Sequence, residues 1–403
     1  MNDRHEFRGL VETKGRVMNA KTKAESAELE RQFSQEVAKQ EEKRTWVTGW
    51  MQPDSDGLIV TPKDADDLSL LKLLEATAKR LAKTIQEPCN EAVGREGVTE
   101  RWATPIGVRL AAICNMFDSE FVARHRRHAF NPWIKLMVAA LRRWHPGHRF
   151  DLMASRIRIS EEDQRRLGQM VRFVRGMSQS RGFERRLENE RKLALQNYRS
   201  ACTYLTSLFA RYSRLLILRV DLYYTGEGRE EAWSEEARAA FERFVRMLRC
   251  GRIVPDVLGC MISREVGAER GIHFHVLVVM DGHKYRDADG YTRMIGERWV
   301  KDYTGPRRGT FYNCYARRHE HEFNGLGLVH LSDWHKLIGL RRAMLYMTEA
   351  EYLIKPKDRG RRNFRRGLVK SAEVKLGAPR RPGHEMSTVR RILGESGNPG
   401  RSK

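Results

Sequence analysis

The chain contains no apolar run long enough to cross a bilayer. Its opening residues, Met1 to Arg8, lack the apolar stretch of a secretory signal. A membrane partner is therefore not expected, and the cytoplasm is the expected compartment. Cysteine is scarce: the six, Cys89, Cys114, Cys202, Cys250, Cys260 and Cys314, lie far apart with no paired spacing. That argues against both a disulfide framework and a structural zinc knuckle, and it fits a reducing setting. No Gly-rich Walker loop occurs, so no built-in nucleotide-driven motor is expected. Acidic residues are outnumbered, 52 against 75 basic ones, which leaves a formal net charge of +23 over 403 residues. Such a surplus calls for a polyanionic partner, with nucleic acid the first expectation.

What is present centres on residues 265–280. From Ile272 to Met280 the chain is apolar and rich in β-branched residues, as a buried strand is. His273 and His275 interrupt it. Side chains alternate along a strand, so the two imidazoles share one face while Ile272, Phe274, Val276 and Val278 take the other. Gly267 and Gly271 flank a turn back to an earlier strand, Val257 to Glu265, and that hairpin brings Glu265 beside the pair. Two imidazoles and a carboxylate on an open face make a three-ligand site for a divalent cation. The competing reading is a pair of satisfied core histidines. A hydrolytic or deaminating zinc site is a third, and the absence of Cys-x-x-Cys speaks against deamination.

The remaining chain falls into regions. Residues 1–30 are polar and expected to fray. Residues 31–200 are expected to be mostly helical: a charged helix over 29–43, a loop over 51–63, and a helix carrying Leu70, Leu71, Leu74, Leu81 and Ile85 that Pro88 ends. Further helices are expected over 105–117, from the Asn131-Pro132 cap to Trp144, from Ser160 to Val174, and from Glu184 to Tyr212. Basic clusters in this half, Arg124 with Arg126 and Arg127, and Arg142 with Arg143, lie among Phe130, Trp133, Trp144 and Phe150. Arginines for phosphates and aromatic rings for bases suit a strand-binding surface, although the same rings suit helix cores.

Residues 201–370 read as a strand (215–222), a helix capped at Ser234, the hairpin, a helix over 294–303, strands over 311–316 and 326–331, and a helix over 333–355. The order β-α-β-β-α-β-β-α describes an α+β domain, an antiparallel sheet backed by helices. From Lys355 onward 15 Lys and Arg face 4 Asp and Glu. Residues 371–403 are expected to be a flexible basic tail, preceded by an ordered cluster of Arg361, Arg362, Arg365 and Arg366 that offers phosphate contacts.

The His-x-His strand, the Glu on the preceding strand and a later helix with tyrosines together resemble the HUH endonuclease superfamily, the rolling-circle initiators and relaxases. The run from Arg214 to Tyr224 is similar to the first-strand motif of the inovirus gene-two-type replication proteins, the YagK/YfjJ family. So are Gly271-Ile-His-Phe-His-Val-Leu277, Ile295-Gly-Glu-Arg-Trp299, Asn313-Cys314, Gly325-Leu-Gly327 and Arg362-Asn-Phe-Arg-Arg-Gly367. The similarity covers roughly residues 200 to 370, with a looser match around Asn131-Pro132-Trp133. It implies an HUH/RRM-like nuclease domain that nicks and rejoins single-stranded origin DNA of a filamentous-phage-like element or prophage. It also implies Mg2+ or Mn2+ held by Glu265, His273 and His275, a 5′-phosphotyrosine intermediate, and host helicase and polymerase as partners.

One departure concerns the tyrosine. The family pattern is Tyr-x-x-Lys. Here Tyr346-Met-Thr is followed by Glu349, whereas Tyr352-Leu-Ile-Lys355 restores the spacing. Motif register favours Tyr346 as nucleophile; local spacing favours Tyr352, with Lys355 as a candidate proton acceptor. Six residues turn a helix by about 600°, so the two rings would point different ways. The Glu349 departure also supports a rival reading, a non-catalytic DNA-binding regulator on a degenerate HUH scaffold.

Overall fold

The computed structural model describes residues 62–394, except for 94–96, 119, 227, 268–270, 321–323, 349–352, 358–361 and 369–383. The chain divides into two compact units, Met1–Leu58 and Ile59–Lys403, and all described residues belong to the second. The frayed terminus, the 29–43 helix, most of the 51–63 loop, Tyr352 and Arg361 lie outside the described residues.

The first part of this unit is largely helical. Helix α1 (Pro62–Leu81) buries Leu70, Leu71, Leu74 and Leu81, but Ile85 falls beyond its end and is exposed. The chain then forms a hairpin that helical periodicity did not announce, β1 (Cys89–Val93) with β2 (Thr99–Ala103). Helix α2 (Pro105–Met116) follows, capped by the Thr104 side chain on the Gly107 amide. After the short strand β3 (His128–Phe130), Asn131 caps α3 (Pro132–Trp144), accepting from the Ile134 amide as a cap followed by proline should. Ser160 and Ser180 cap α4 (Glu161–Ser178) and α5 (Arg181–Phe209) in the same way. The domain boundary expected at residue 200 falls inside α5, whose second half lies against the sheet.

The sheet is wholly antiparallel. Its strands are β4 (Arg214–Tyr224), β5 (Val257–Gly267), β6 (Gly271–Asp281), β7 (Gly309–Asn313), β8 (Gly327–His330) and β10 (Phe364–Arg366). They run β10-β5-β6-β4-β7, and β8 pairs with the first half of β4 where β7 pairs with the second. Helices α6 (Glu235–Arg249), α7 (Ala288–Trp299) and α8 (Trp334–Thr348) interleave with them. An α+β unit is therefore what the chain forms. Strand β9 (Ile354–Pro356) pairs with β3 in a separate two-stranded sheet that ties the helical half to the segment after α8.

Both faces of the main sheet are covered. Leu215, Ile217, Met261, Leu277 and Val279 pack with α5 and α8 on one face. Leu216, Leu218, Val220, Leu222, Phe274, Val276 and Val278 pack with α6 and α7 on the other. That explains why β6 is buried along nearly its whole length. Each fully buried Leu, Val or Phe there contributes roughly 1.5–3 kcal/mol. On the α6 face Phe241, Phe244, Phe274 and Trp299 form an edge-and-stack cluster, with Phe241 and Phe274 centroids 3.5 Å apart.

Three expectations need correction. Helix α7 starts at Ala288, because the Asp287 side chain accepts from the Gly290 amide, and a π turn over Val300–Thr304 follows it. Helix α8 does not reach Lys355: residues 354–356 are a strand, and Lys355 precedes a proline, which disfavours the α conformation. The basic C-terminal segment is not loose throughout. His384–Leu393 form helix α9, whose Val389 and Leu393 are fully buried against α5 and α8. Their i, i+4 spacing was present in the sequence but was outweighed by the surrounding charge, Gly and Pro.

Candidate active site

The hairpin register sets the site. Glu265 on β5 lies directly opposite His273 on β6, and Ser263 lies opposite His275. Strand β4 lies on the other side of β6 and places Asp221 opposite His275. All five side chains therefore rise from the sheet face that carries α5 and α8. Glu265, His273 and His275 converge: one ligand atom from each lies within 4.8 Å of the others. The Glu265 Oε2 is 3.3 Å from Nε2 of His275 and 3.7 Å from Nε2 of His273.

Both imidazoles are held from behind. His273 Nδ1 is 3.1 Å from the Gly271 carbonyl and donates to it. His275 Nδ1 is 2.8 Å from Asp221 Oδ1 and 3.2 Å from an Arg219 guanidinium nitrogen. A guanidinium only donates, so the shorter contact decides: Nδ1–H donates to Asp221. Each ring thereby keeps its Nε2 for the space beside Glu265. Carboxylate or carbonyl partners on the far nitrogen are the usual support of histidine ligands. The donor set, two imidazoles and one carboxylate with supported tautomers, could hold a divalent cation.

The electrostatics separate the two histidines. Burial, reinforced by the charge of His275, pushes His273 down to about 4, so it is neutral and has a lone pair to offer. Burial also disfavours a charged His275, but Asp221 and then Glu265 outweigh it and raise the group to about 9. Burial alone would raise the Asp221 carboxyl; Arg219 and His275 instead hold it well below the usual carboxylate range. Arg219 binds Asp221 through two nitrogens at 3.1 and 3.2 Å, so this buried charge is paired. Glu265 is likewise lowered against burial, by His275 first and then His273.

Helix α8 brings Tyr346 over this group. Its hydroxyl is 3.4 Å from His275 Nε2, its ring is edge-on to that imidazole at 5.0 Å, and the Arg219 guanidinium carbon lies 4.8 Å from the ring centroid. The helix turns this residue inward because Leu337, Leu340, Met344 and Met347 anchor it to the sheet. Lys355 has another engagement: its ammonium is 2.8 Å from Glu190 on α5, and its strand pairs with β3.

The arginines proposed for phosphate divide into two groups. Arg124 is committed to Asp67 at 2.7 Å and Asp118 at 2.9 Å, and Arg127 reaches Glu230 and the face of Trp233. Arg365 pairs with Glu242, and Arg366 binds Ser200 and lies over Tyr204. Arg126, Arg142, Arg143 and Arg362 are exposed. Phe130, Trp133 and Trp144 of that helical patch are half-buried and pack against the core: Phe130 stacks on Phe121, and Trp133 packs on Phe183.

Sequence reasoning assigned no role to Arg219 and Asp221. A usable signal existed, two charged residues at i and i+2 inside an otherwise apolar strand, hence on one face of the sheet. No family model, curated protein or solved structure matches this chain.

Proposed function

We propose that the protein is a divalent-cation-dependent endonuclease and strand transferase acting on single-stranded DNA, of the HUH type. The observation that carries this reading is the placement of the Tyr346 hydroxyl 3.4 Å from Nε2 of His275, beside the Glu265–His273–His275 cluster. The ordered motifs similar to the inovirus gene-two-type proteins and the net charge of +23 support it. Origin DNA of a filamentous-phage-like replicon is the proposed substrate.

Glu265, His273 and His275 would hold the cation, Mg2+ or Mn2+, which when bound supplies Lewis-acid charge against a phosphate oxygen. The chain's own residues perform the transfer. Tyr346 Oη attacks phosphorus, the Oη–P bond forms and the P–O3′ bond breaks. The products are a free 3′-hydroxyl and a 5′-phosphotyrosine. Attack by a 3′-hydroxyl on that linkage reverses the step and needs no external energy source. The phenol must give up its proton. Arg219 over its ring favours the anion electrostatically, and the proton passes to water. With Lys355 bound to Glu190, it is not proposed as the acceptor.

The test is cleavage of single-stranded DNA from candidate replicon origins with Mn2+ or Mg2+, read as a denaturant-stable protein–DNA adduct. His273→Ala with His275→Ala should abolish the adduct and leave DNA affinity within about threefold, because phosphate affinity comes from Lys and Arg. Full cleavage by the double variant would refute the metal-site mechanism. Wild-type binding without cleavage under any metal would favour the regulator reading.

A further inference from the structure

The opposite face of the sheet carries a second feature that the nicking reaction does not use. Between α6 and the β5–β10 edge lies a cavity of about 320 Å3. Its floor is apolar: Phe241 and Phe274, stacked at 3.5 Å, and Tyr224, all three nearly fully buried. Four guanidiniums surround it, Arg238, Arg264, Arg362 and Arg365. Arg365 pairs with Glu242 and Arg238 with Glu235. The Arg365 guanidinium carbon lies 5.7 Å from the Phe241 ring centroid, so part of the charge sits directly over the aromatic floor.

Four forked cations around an aromatic floor match a ligand with a flat ring and a phosphate. The volume is at the small end for ligand pockets, the scale of one nucleotide rather than of a duplex. Its position has a further consequence. Phe274 lies between His273 and His275, and Arg264 precedes Glu265, so alternation puts this pocket back to back with the metal cluster at the same height of the sheet. Strand β10 is the edge of the sheet there, and the exposed Arg362 precedes it.

We propose that this pocket holds one nucleotide of single-stranded DNA that passes around the β10 edge, outside the catalytic face. The choice of DNA rests on the function proposed above; the pocket's chemistry does not depend on cleavage. Glu242 sets a limit on the geometry, because the phosphate must lie toward the exposed Arg362 and away from that carboxylate.

The experiment uses the full chain in EDTA, where cleavage cannot occur, and a fluorescein-labelled octathymidylate titrated by anisotropy over a range of KCl. Arg362→Gln should weaken binding about threefold and reduce the slope of log K against log salt by about 0.7, the value for one single-strand phosphate contact. Arg185→Gln removes equal charge from an exposed stretch of α5 and should change both less. Equal effects of the two variants would overturn the pocket and leave only bulk charge. In the unmodified protein, an oligonucleotide carrying 5-bromodeoxyuridine should photocross-link to peptides containing Tyr224, Phe241 or Phe274. Adducts confined to other peptides would overturn the proposal, as would stronger binding of octauridylate, or displacement of the DNA by oligoglutamate at equal charge. Absence of nicking in separate assays with metal would remove the nuclease reading without touching any of these outcomes.

Discussion

Asp221 Oδ1 lies 2.8 Å from Nδ1 of His275, and the same carboxylate accepts from Nε and Nη2 of Arg219. This buried trio does two things at once. It fixes the His275 tautomer with Nε2 toward Glu265, and it keeps Arg219 beneath the Tyr346 ring. Asp221→Asn leaves the shape but removes the charge. Metal affinity should fall by about 10- to 100-fold, the usual effect of losing a carboxylate behind a histidine ligand. Stability should fall by about 3–5 kcal/mol, because Arg219 remains buried without its counter-ion. Mn2+ titration calorimetry and urea unfolding measure the two separately. Unchanged metal affinity would show that Asp221 supports the fold alone.

The position of Tyr346 makes the nucleophile testable without altering packing. Phenylalanine keeps the ring over Arg219 and against His275 and removes only the oxygen. Tyr346→Phe should eliminate the covalent adduct while shifting the urea midpoint little. Tyr352→Phe should retain at least a single-turnover adduct. Peptide mapping of trapped wild-type adduct decides between them. DNA on Tyr352 alone would reverse the assignment, and DNA on both would mean two nucleophiles acting in alternation.

The parts of the site legible in the sequence are those governed by a period of two. Once residues 257–281 are read as a hairpin, alternation alone puts Glu265, His273 and His275 on one face, and the observed register does so. Alternation says nothing about which strand lies on the other side of β6. The Asp221–His275 contact follows from β4 pairing there, a relation across more than fifty residues that no local pattern encodes. Helix caps were legible for a similar local reason: Asn131, Ser160 and Ser234 each bind an amide three residues on. Arg124 and Arg366 show the opposite case, contacts that the local pattern hides. Their sequence neighbours are basic, but their partners Asp67 and Ser200 come from elsewhere in the chain.

Helix α9 changes what a C-terminal truncation would report. Leu393 is fully buried, and its carbonyl accepts from the Tyr198 hydroxyl at 2.8 Å. Removing everything after Gly377 would strip both basic charge and core, so a lower salt slope could not be read as lost phosphate contact. The two effects separate by substitution. Leu393→Ala should destabilise by about 2–5 kcal/mol. Arg391→Gln, on the exposed side of the helix, should stay within about 0.5 kcal/mol of wild type. If Arg391 touches DNA, its removal lowers the single-strand salt slope by about 0.7. Urea unfolding gives the first pair of values. A Leu393→Ala protein as stable as wild type would mean that α9 does not hold α5 and α8 together.

The β3–β9 junction carries a pH dependence of its own. His128 Nδ1 is 2.9 Å from Nδ1 of His125, and one ring must donate to the other, which requires a neutral acceptor. Burial, with His125 and Arg127 nearby, pushes His128 down to about 4. Its neighbours also include Trp233, and Asp67 lies 3.4 Å from the far nitrogen of His125. In the unfolded chain His128 titrates near its ordinary value of about 6.5. Between those two values the unfolded state binds more protons than the folded one, so stability rises with pH there. The contribution is fully present above about 6.5 and is lost progressively as the pH falls toward 4. His128→Gln removes the titrating group. The stability difference between wild type and variant should therefore shrink as the pH is lowered from 7.5 to 4.5, measured by urea unfolding at each pH. A difference that stays constant across that range would mean that His128 takes up its proton in the folded protein as readily as in the unfolded chain.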